Sequence, residues 1–440
     1  MPSPSRPQLP PRLLPILYLG AAHLALAVAF AAVALEPRRA TGFFYHPWML
    51  GIVHLVTLGW ITASILGSLY LVGPIALRVR LPATWVDYTA FALVSVGIAG
   101  MVGHFWIGND AGMAWAAAMV GTGLVIAAGA IVPRVVRAPL PRAITAHIVL
   151  AFLNVLGAAT MGVLVGFDKV YHFLPGFVLA NVFAHAHLAA IGWASMMVVG
   201  IAYRMLPMVL PAQMPEGRRL WTSAVLLEAG VVMLFVALVR REPFAWAGAV
   251  LVTGGFGAFL AHAAWMLRHP RPRPPGLPMP DPAVLHAAAA FASLAIACAL
   301  GVWLSLASPS PAALRVASAY GVFGLVGFLA QIVIGMEGRL LPLFAWYWAY
   351  ANTDYRKAPP SPHAMAWRRG QHLGFALWLV GVPALAGGFA FERVTVVGVA
   401  GWCLLAAALL DAWIVAGILR HAYVTAPQFR RPIGSSSAAS

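Results

Sequence analysis

Charged residues are scarce in this sequence. Only 9% of its 440 residues are charged, and 12 of them are acidic, whereas soluble domains carry roughly 25% charged residues. Cysteine is almost missing: Cys298 and Cys403 both lie in apolar stretches, which favours core packing over a disulfide or a cysteine metal site. No HExxH motif, paired-acid pattern or nucleophile constellation is present either. These shortages exclude an ordinary soluble domain and make a zinc enzyme site a poor fit.

Long apolar runs recur along the whole sequence. Hydrophobic residues make up 62% of the chain, and the mean hydropathy is +0.85. Runs of about 20 such residues are long enough to cross the ~30 Å hydrocarbon core of a lipid bilayer. We therefore predict an all-α polytopic membrane protein, a single transmembrane domain over residues 1–440, with twelve spans at 12–35, 47–76, 84–107, 112–133, 142–166, 175–208, 219–239, 244–267, 284–307, 313–345, 370–390 and 394–419.

The two ends of the chain carry separate expectations. The first apolar run is too long for a cleaved signal peptide, and no small-residue cleavage site follows it. The last residues, "PIGSSSAAS", are polar and small, so we predict a disordered tail over 427–440.

The net charge of +16 reflects membrane topology. If the amino terminus is cytoplasmic and the spans alternate, 21 of the 28 Lys and Arg residues fall on the inner side. The positive-inside rule then predicts that both termini are cytoplasmic, in a bacterial-type inner membrane. Because this bias accounts for the basic excess, we expect no nucleic-acid binding.

A sequence repeat links three of the spans. "HLVTLGW" at 54–60 matches "HLAAIGW" at 187–193, at an offset of 133 residues. "GIAYRMLP" at 200–207 matches "GMEGRLLP" at 335–342, at an offset of 135. The copies fall on spans 2, 6 and 10, with four helices from one copy to the next. We therefore predict three parallel four-helix pseudo-repeats, at about 12–133, 142–267 and 284–419. Packing explains most of the shared glycines and prolines.

Histidines within the spans are the best candidates for function. Ionisable residues inside a membrane usually mark functional sites, and imidazole is a common metal ligand and haem ligand. His54 and His187 occupy equivalent positions, so we predict them as principal ligands facing one shared site. His185 lies ~200° around the helix from His187 and would serve a second centre. His46 and His104, near the outer helix ends, are further metal-ligand candidates.

Other polar residues within the spans are fewer. His23 lies in the middle of span 1, and Glu228 in the middle of span 7. Glu337 and Asp411 lie toward the inner ends of spans 10 and 12. The three carboxylates could relay protons, or they could pair with nearby arginines.

Twelve spans in three units, a histidine on span 2 and a His-x-His on a later repeat resemble subunit I of haem–copper oxidases and nitric oxide reductases. In outline, the chain also resembles the NnrS family, haem- and copper-containing membrane proteins linked to nitric oxide stress. The resemblance covers the topology of nearly the whole chain. It implies a b-type haem and copper as cofactors, electron transport, and respiratory partner subunits.

The ligand pattern matches that family only in part. His54 matches the span-2 histidine that binds a low-spin haem in the oxidases. His185 and His187 have the form of the family's His-x-His, but they lie on span 6, and span 10 has Tyr320 and Val322 instead. Span 7 has no histidine and no His-His pair occurs. The family's copper and high-spin haem sites are therefore not expected, nor is oxygen reduction with proton pumping.

Three functional interpretations follow from these observations. The first is a haem- or copper-binding membrane protein with a redox, respiratory or nitric-oxide-response role, related to oxidoreductases but without their full ligand set. The second is a non-enzymatic transporter or metal-handling protein that binds copper or relays protons. The third is a structural membrane subunit whose histidines only form hydrogen bonds.

Overall fold

Twelve long apolar helices lie within the residues that the structure describes, which confirms the predicted all-α polytopic membrane fold. The computed structural model describes residues 10–274, 276–277, 279–350 and 359–424, and contains no β-strand within them; the predicted tail at 427–440 lies outside them. Predicted and observed span ends differ by only a few residues. The spans are Leu13–Leu35, Pro47–Leu77, Trp85–Ile107, Asp110–Val136, Arg142–Tyr171, Val178–Val209, Leu220–Arg240, Ala245–Arg268, Pro282–Leu306, Pro311–Tyr350, Arg368–Ala390 and Val394–Val424.

Several spans begin at caps that the sequence encodes locally. Thr84 and Asp87 form a capping box at span 3, in which the Thr84 N–H donates to Asp87 Oδ2 at 2.7 Å. Asn109 caps span 4 by accepting from the Gly112 N–H at 2.8 Å. Asp281 and Ser310 cap spans 9 and 10, and a proline follows each of them. Such caps satisfy the free N–H groups of a first helical turn.

Spans 2, 6 and 10 meet at the centre of the bundle. They contact one another through their middle segments, while the outer helices pack in sequence: span 3 on 4, 4 on 5, 7 on 8, 8 on 9, 11 on 12, and 12 on 1. Spans 2 and 10 are the most buried of the twelve. The three helices that carry the sequence repeat are therefore the three that share an interior.

Each central span contains a π-helical segment at the equivalent place. These wider turns cover Leu55–Thr62, Leu188–Ser195 and Val322–Ala330. The Thr62 hydroxyl donates to the Thr57 carbonyl at 2.9 Å, and the Ser195 hydroxyl donates to the Ala190 carbonyl at 2.7 Å, each five residues back. π-helical turns occur frequently at functional sites. Two of these segments begin directly after His54 and His187, so they support these histidines as functional candidates.

Glycines of the central spans pack against the preceding helix in a matched pattern. A Cβ added to any of six such glycines would lie 2.5–2.8 Å from an atom of that helix. Within each unit the two glycines are eight residues apart and their partners seven apart: Gly59 and Gly67 on Ala25 and Tyr18, Gly192 and Gly200 on Asn154 and His147, Gly327 and Gly335 on Ser293 and His286. The predicted repeat requires such equivalent contacts. A rotation axis along the membrane normal, and cytoplasmic termini, stay predictions.

The repeat also accounts for a buried N–H group that lacks a partner. The indole Nε1 of Trp193 donates to Thr62 Oγ1 of the neighbouring unit at 3.0 Å. Trp60 is the equivalent residue in the first unit, and its buried Nε1 has no hydrogen-bond partner among the described residues. By the repeat offsets, Ala330 of the third unit is equivalent to Thr62 of the first unit. Residue 330 is therefore where a hydroxyl would accept a hydrogen bond from Trp60.

Ala330→Ser is therefore expected to stabilise the protein. The new hydroxyl would accept from Trp60, and a hydrogen bond of this kind contributes about 1 kcal/mol. The measurement is the midpoint of thermal unfolding in detergent. Repeating it in a Trp60→Phe background, which has no N–H to donate, should cancel the gain. If Ala330→Ser does not raise the thermal midpoint, or raises it equally in the Trp60→Phe background, then residues 60 and 330 are not related as Trp193 and Thr62 are.

Candidate functional site

A cavity opens between the first and second units, and we call it the outer cavity. It holds about 1020 Å³ of space free of atoms, including its open mouth. Residues of spans 2 to 6, with two leucines of span 10, line it, and most of the wall is apolar. The polar side chains on the wall include His54, His185, Thr57, Thr62, Tyr45 and Lys169.

His54 and His185 face each other in the outer cavity. Their ring centroids are 6.4 Å apart, and the ring planes differ by 23°. His54 Nδ1 lies 2.7 Å from the Leu50 carbonyl, and His185 Nδ1 lies 2.9 Å from the Ala158 carbonyl. Donation from Nδ1–H to these carbonyls leaves Nε2 of each ring as an acceptor, and the hydrogen bonds of both rings within the described residues are made through Nδ1. Metal-binding histidines are held in this way.

Neighbouring residues fix both rings in place. Phe105 of span 3 stacks on His54, with ring centroids 5.4 Å apart and an angle of 30°. His185 reaches span 5 because residue 162 is glycine: a Cβ there would lie 2.8 Å from Cε1 of the imidazole. The close approach at Gly162 and the bond to Ala158 therefore hold the His185 ring against span 5.

His187 lies on a different face of span 6. Its Nδ1 is 2.7 Å from the Phe183 carbonyl, and its Nε2 is 3.4 Å from the Tyr320 hydroxyl of span 10. It does not line the outer cavity. The opposite directions of His185 and His187 agree with the expected helical angle. The imidazole that faces His54 is that of His185, while His187 contacts Tyr320. A ligand site that His54 shares with either histidine stays a prediction. Whether His187 binds a ligand of its own stays a prediction.

Equivalent positions in the three units differ in chemistry. By the repeat offsets, the His54–His185 pair of the first interface corresponds to the His187–Tyr320 pair of the second. The two pairs share their geometry, since the His187 and Tyr320 rings are 6.1 Å apart at 23°. At the third interface the corresponding residues are apolar, Val322 and Ile52. Only the first interface therefore has two imidazoles at this position.

The two outer candidates lie apart from this pair. His46 is exposed and caps the first turn of span 2, where its Nδ1 accepts from the Trp48 N–H at 3.2 Å. The His104 ring packs over Gly112 of span 4. Neither residue lines the outer cavity. A metal-binding role for His46 or His104 stays a prediction, and the structure brings neither residue to His54.

A cation and a phenol, Lys169 and Tyr45, lie next to each other in the wall of the outer cavity. Lys169 Nζ lies 3.6 Å from Asp110 Oδ1 and 5.3 Å from the centre of the Tyr45 ring. Burial raises the pKa of the Tyr45 phenol, and nearby Asp110 and Asp168 raise it further. The hydroxyl therefore stays neutral at physiological pH, and within the described residues it has no hydrogen-bond partner.

A second polar group lies elsewhere, among spans 1, 10 and 12. His23 Nε2 is 3.2 Å from Asp411 Oδ2 and 3.4 Å from Glu337 Oε2. All three polar residues stand out in the sequence, but nothing in it indicates that they meet. Their contact depends on the packing of span 1 against span 12, which closes the helix ring.

No protein-family model matches the chain, and no curated protein matches it. The functional assignment therefore depends on the geometry of the sites.

Proposed function

We propose that this multi-pass membrane protein binds a b-type haem between His54 and His185 and has a redox, respiratory or nitric-oxide-response role. One observation supports this above all others. Two near-parallel imidazoles on different spans face one cavity, and each is anchored through Nδ1 to a backbone carbonyl. Such anchoring fixes the tautomer and orients Nε2 for a metal.

The distances between the rings suit one shared metal. Metal–imidazole bonds of about 2 Å place two ligand nitrogens about 4 Å apart, and each ring centroid lies about 1 Å farther back, so a separation of about 6 Å is expected. The observed separation is 6.4 Å.

The wall of the outer cavity suits the rest of a haem. Its apolar surface, which includes Phe105 and Leu58, matches a flat hydrophobic ring system. Lys169 in the wall, which lies 3.6 Å from Asp110, could also pair with the carboxylate groups of a haem. A bound haem supplies one-electron chemistry, while the protein orients the imidazoles and excludes water.

A relationship to haem–copper oxidase subunit I or to NnrS proteins is part of this proposal. His54 on span 2 supports it. The second ligand argues for a divergent member, because His185 lies on span 6, whereas the oxidases use span 10. The proposal therefore requires a haem bound across the first and second units.

Copper handling without haem is the second candidate function. Met101 and Met113 line the outer cavity together with His54 and His185. Thioether and imidazole groups are suitable ligands for copper, and thioethers favour Cu(I). A copper-binding transporter or carrier would use the same cavity.

The absorption spectrum and metal content of the purified full-length protein distinguish these functions. Haem binding predicts a Soret band and about one iron per chain. Copper without a Soret band supports the second candidate. If haem-replete membranes yield protein with neither metal, both proposals fail.

Gly162→Ala tests the position of His185 without removing the ligand. The added Cβ would lie 2.8 Å from the His185 ring, which cannot shift without weakening its bond to Ala158. We expect haem occupancy to fall at least several-fold. Gly157→Ala on the same span is the matched control, because its Cβ would meet only Leu188 at an ordinary 3.8 Å. Equal occupancy in the two variants would contradict the proposed role of His185.

A further inference from the structure

We propose a second metal site, for a divalent transition-metal ion, formed by His23, Glu337 and Asp411. We call these residues the inner cluster. They come from spans 1, 10 and 12, and one ligand atom of each lies within 4.8 Å of the other two. All three side chains are nine-tenths buried or nearly so. The proposal is independent of haem binding, since the outer cavity does not include these residues.

The hydrogen bonds of His23 leave acceptor atoms facing one another. His23 Nδ1 lies 2.8 Å from the Leu19 carbonyl, so a proton on Nδ1 satisfies that carbonyl. Nε2 then presents a lone pair to Asp411 Oδ2 at 3.2 Å and Glu337 Oε2 at 3.4 Å. Acceptors this close repel one another unless a cation lies between them, either a proton on Nε2 or a metal ion. One imidazole nitrogen and two carboxylates are ligands that bind Zn²⁺, Fe²⁺ or Mn²⁺.

Glu337 gives independent support for a bound cation. Its side chain is 5% exposed, and neither carboxylate oxygen has a hydrogen-bond partner among the described residues. In that part of the chain its one ionic contact is with His23 Nε2 at 3.4 Å, and a buried carboxylate that accepts no hydrogen bond is strongly destabilising. The expected arginine partner is not there: Arg339 on the same span lies 2.9 Å from His363 and 4.0 Å from Asp281 instead. A metal ion would neutralise the group.

A smaller cavity reaches Asp411 of the inner cluster. It holds about 340 Å³ of space free of atoms and is lined by Asp411, His286 and Gln371 among others. It lies at the end of the bundle where spans 9 and 11 begin, which is the predicted inner end. His286 is 4% exposed, and its Nδ1 is buried without a hydrogen-bond partner in the described part of the chain. A metal ion that entered through this cavity would therefore pass a second imidazole nitrogen that has no hydrogen bond.

Metal analysis of the full-length protein, purified without a histidine tag, tests the proposal. After treatment with a chelator, the protein is dialysed against Zn²⁺ or Mn²⁺, and bound metal is measured. We expect about one tightly bound ion per chain in the wild type. Glu337→Gln should lower the affinity by at least about 10–100-fold, because it removes a charged ligand. Glu228→Gln is the matched control, since Glu228 is also within a span but accepts from Asn154 Nδ2 at 2.7 Å.

Two further measurements make the outcome decisive. Metal should raise the thermal midpoint of the wild type and of Glu228→Gln but not that of Glu337→Gln; His23→Gln replaces Glu337→Gln if the latter does not fold. The haem content of the inner-cluster variants should equal that of the wild type, which separates this proposal from the one at His54. Equal metal binding by the wild type and Glu337→Gln overturns the proposal. The proposal is also overturned if the wild type binds no metal and shows the infrared band of a protonated carboxyl group, and if Glu337→Gln removes that band. This result would indicate that the three side chains share protons instead of a metal ion.

Discussion

Replacing either His54 or His185 with alanine is expected to remove most of the bound haem. Each imidazole would supply one of two metal bonds, and the remaining ring cannot hold the group firmly in a largely apolar cavity. We expect the ratio of haem to protein to fall at least about tenfold, which corresponds to about 1.4 kcal/mol of binding free energy at sub-saturating haem. The measurement is Soret absorbance per chain after purification from haem-replete cells.

Two control variants decide between the possible pairings. His187→Ala should keep the haem, because His187 contacts Tyr320 and does not line the outer cavity. His363→Ala, outside the spans and beside Arg339, should keep it as well. If His187→Ala loses the haem while His185→Ala retains it, the outer cavity is not the site. In that case the pairing of His54 with His187, expected from the sequence, would be correct.

The number of spans could be predicted because it depends on local sequence. An apolar run of about 20 residues can cross the bilayer whichever helices surround it. The repeat on spans 2, 6 and 10 was visible for the same reason, since Gly67, Gly200 and Gly335 recur within matching motifs. These signals do not depend on tertiary contacts.

The partner of His54 could not be predicted in this way. His54 and His187 are equivalent in the repeat, and equivalence alone made a shared site attractive. In a head-to-tail ring of similar units, however, contacts join different positions of neighbouring units. His54 of the first unit accordingly meets His185 of the second, and His187 of the second meets Tyr320 of the third. The correct pairing requires knowledge of which helix faces are neighbours.

The inner cluster could not be predicted from the sequence either. His23 and Asp411 are separated by 388 residues and lie on the first and last spans. Neither residue belongs to a motif, and no spacing rule connects them. They meet because spans 1 and 12 close the ring of helices around the central three. Sequence indicates that each polar residue needs a partner in the membrane, but only the fold shows which partner it has.

Glycine also sets the distance between the paired outer helices. Spans 7 and 8 approach so closely that a Cβ on Gly230 would lie 2.7 Å from the backbone nitrogen of Val252. Gly248 and Gly255 make reciprocal approaches to the backbone of span 7 at Leu234 and Leu227, each at 2.9 Å. Small residues that allow such contact stabilise helix pairs in membranes, where burial of apolar surface gives little driving force.

Gly230→Ala is therefore expected to destabilise the protein strongly. The new methyl group would meet backbone atoms, which cannot rotate away as a side chain can, so the two helices must separate. Overpacking of this kind costs about 1–3 kcal/mol, and we expect a lower midpoint of thermal unfolding in detergent. Gly257→Ala on span 8 is the control, because its Cβ would have no atom within 4 Å. That change should be neutral or stabilising by about 0.5–1 kcal/mol, since alanine favours the helix over glycine. Equal midpoints for Gly230→Ala and Gly257→Ala would show that spans 7 and 8 are not packed this closely.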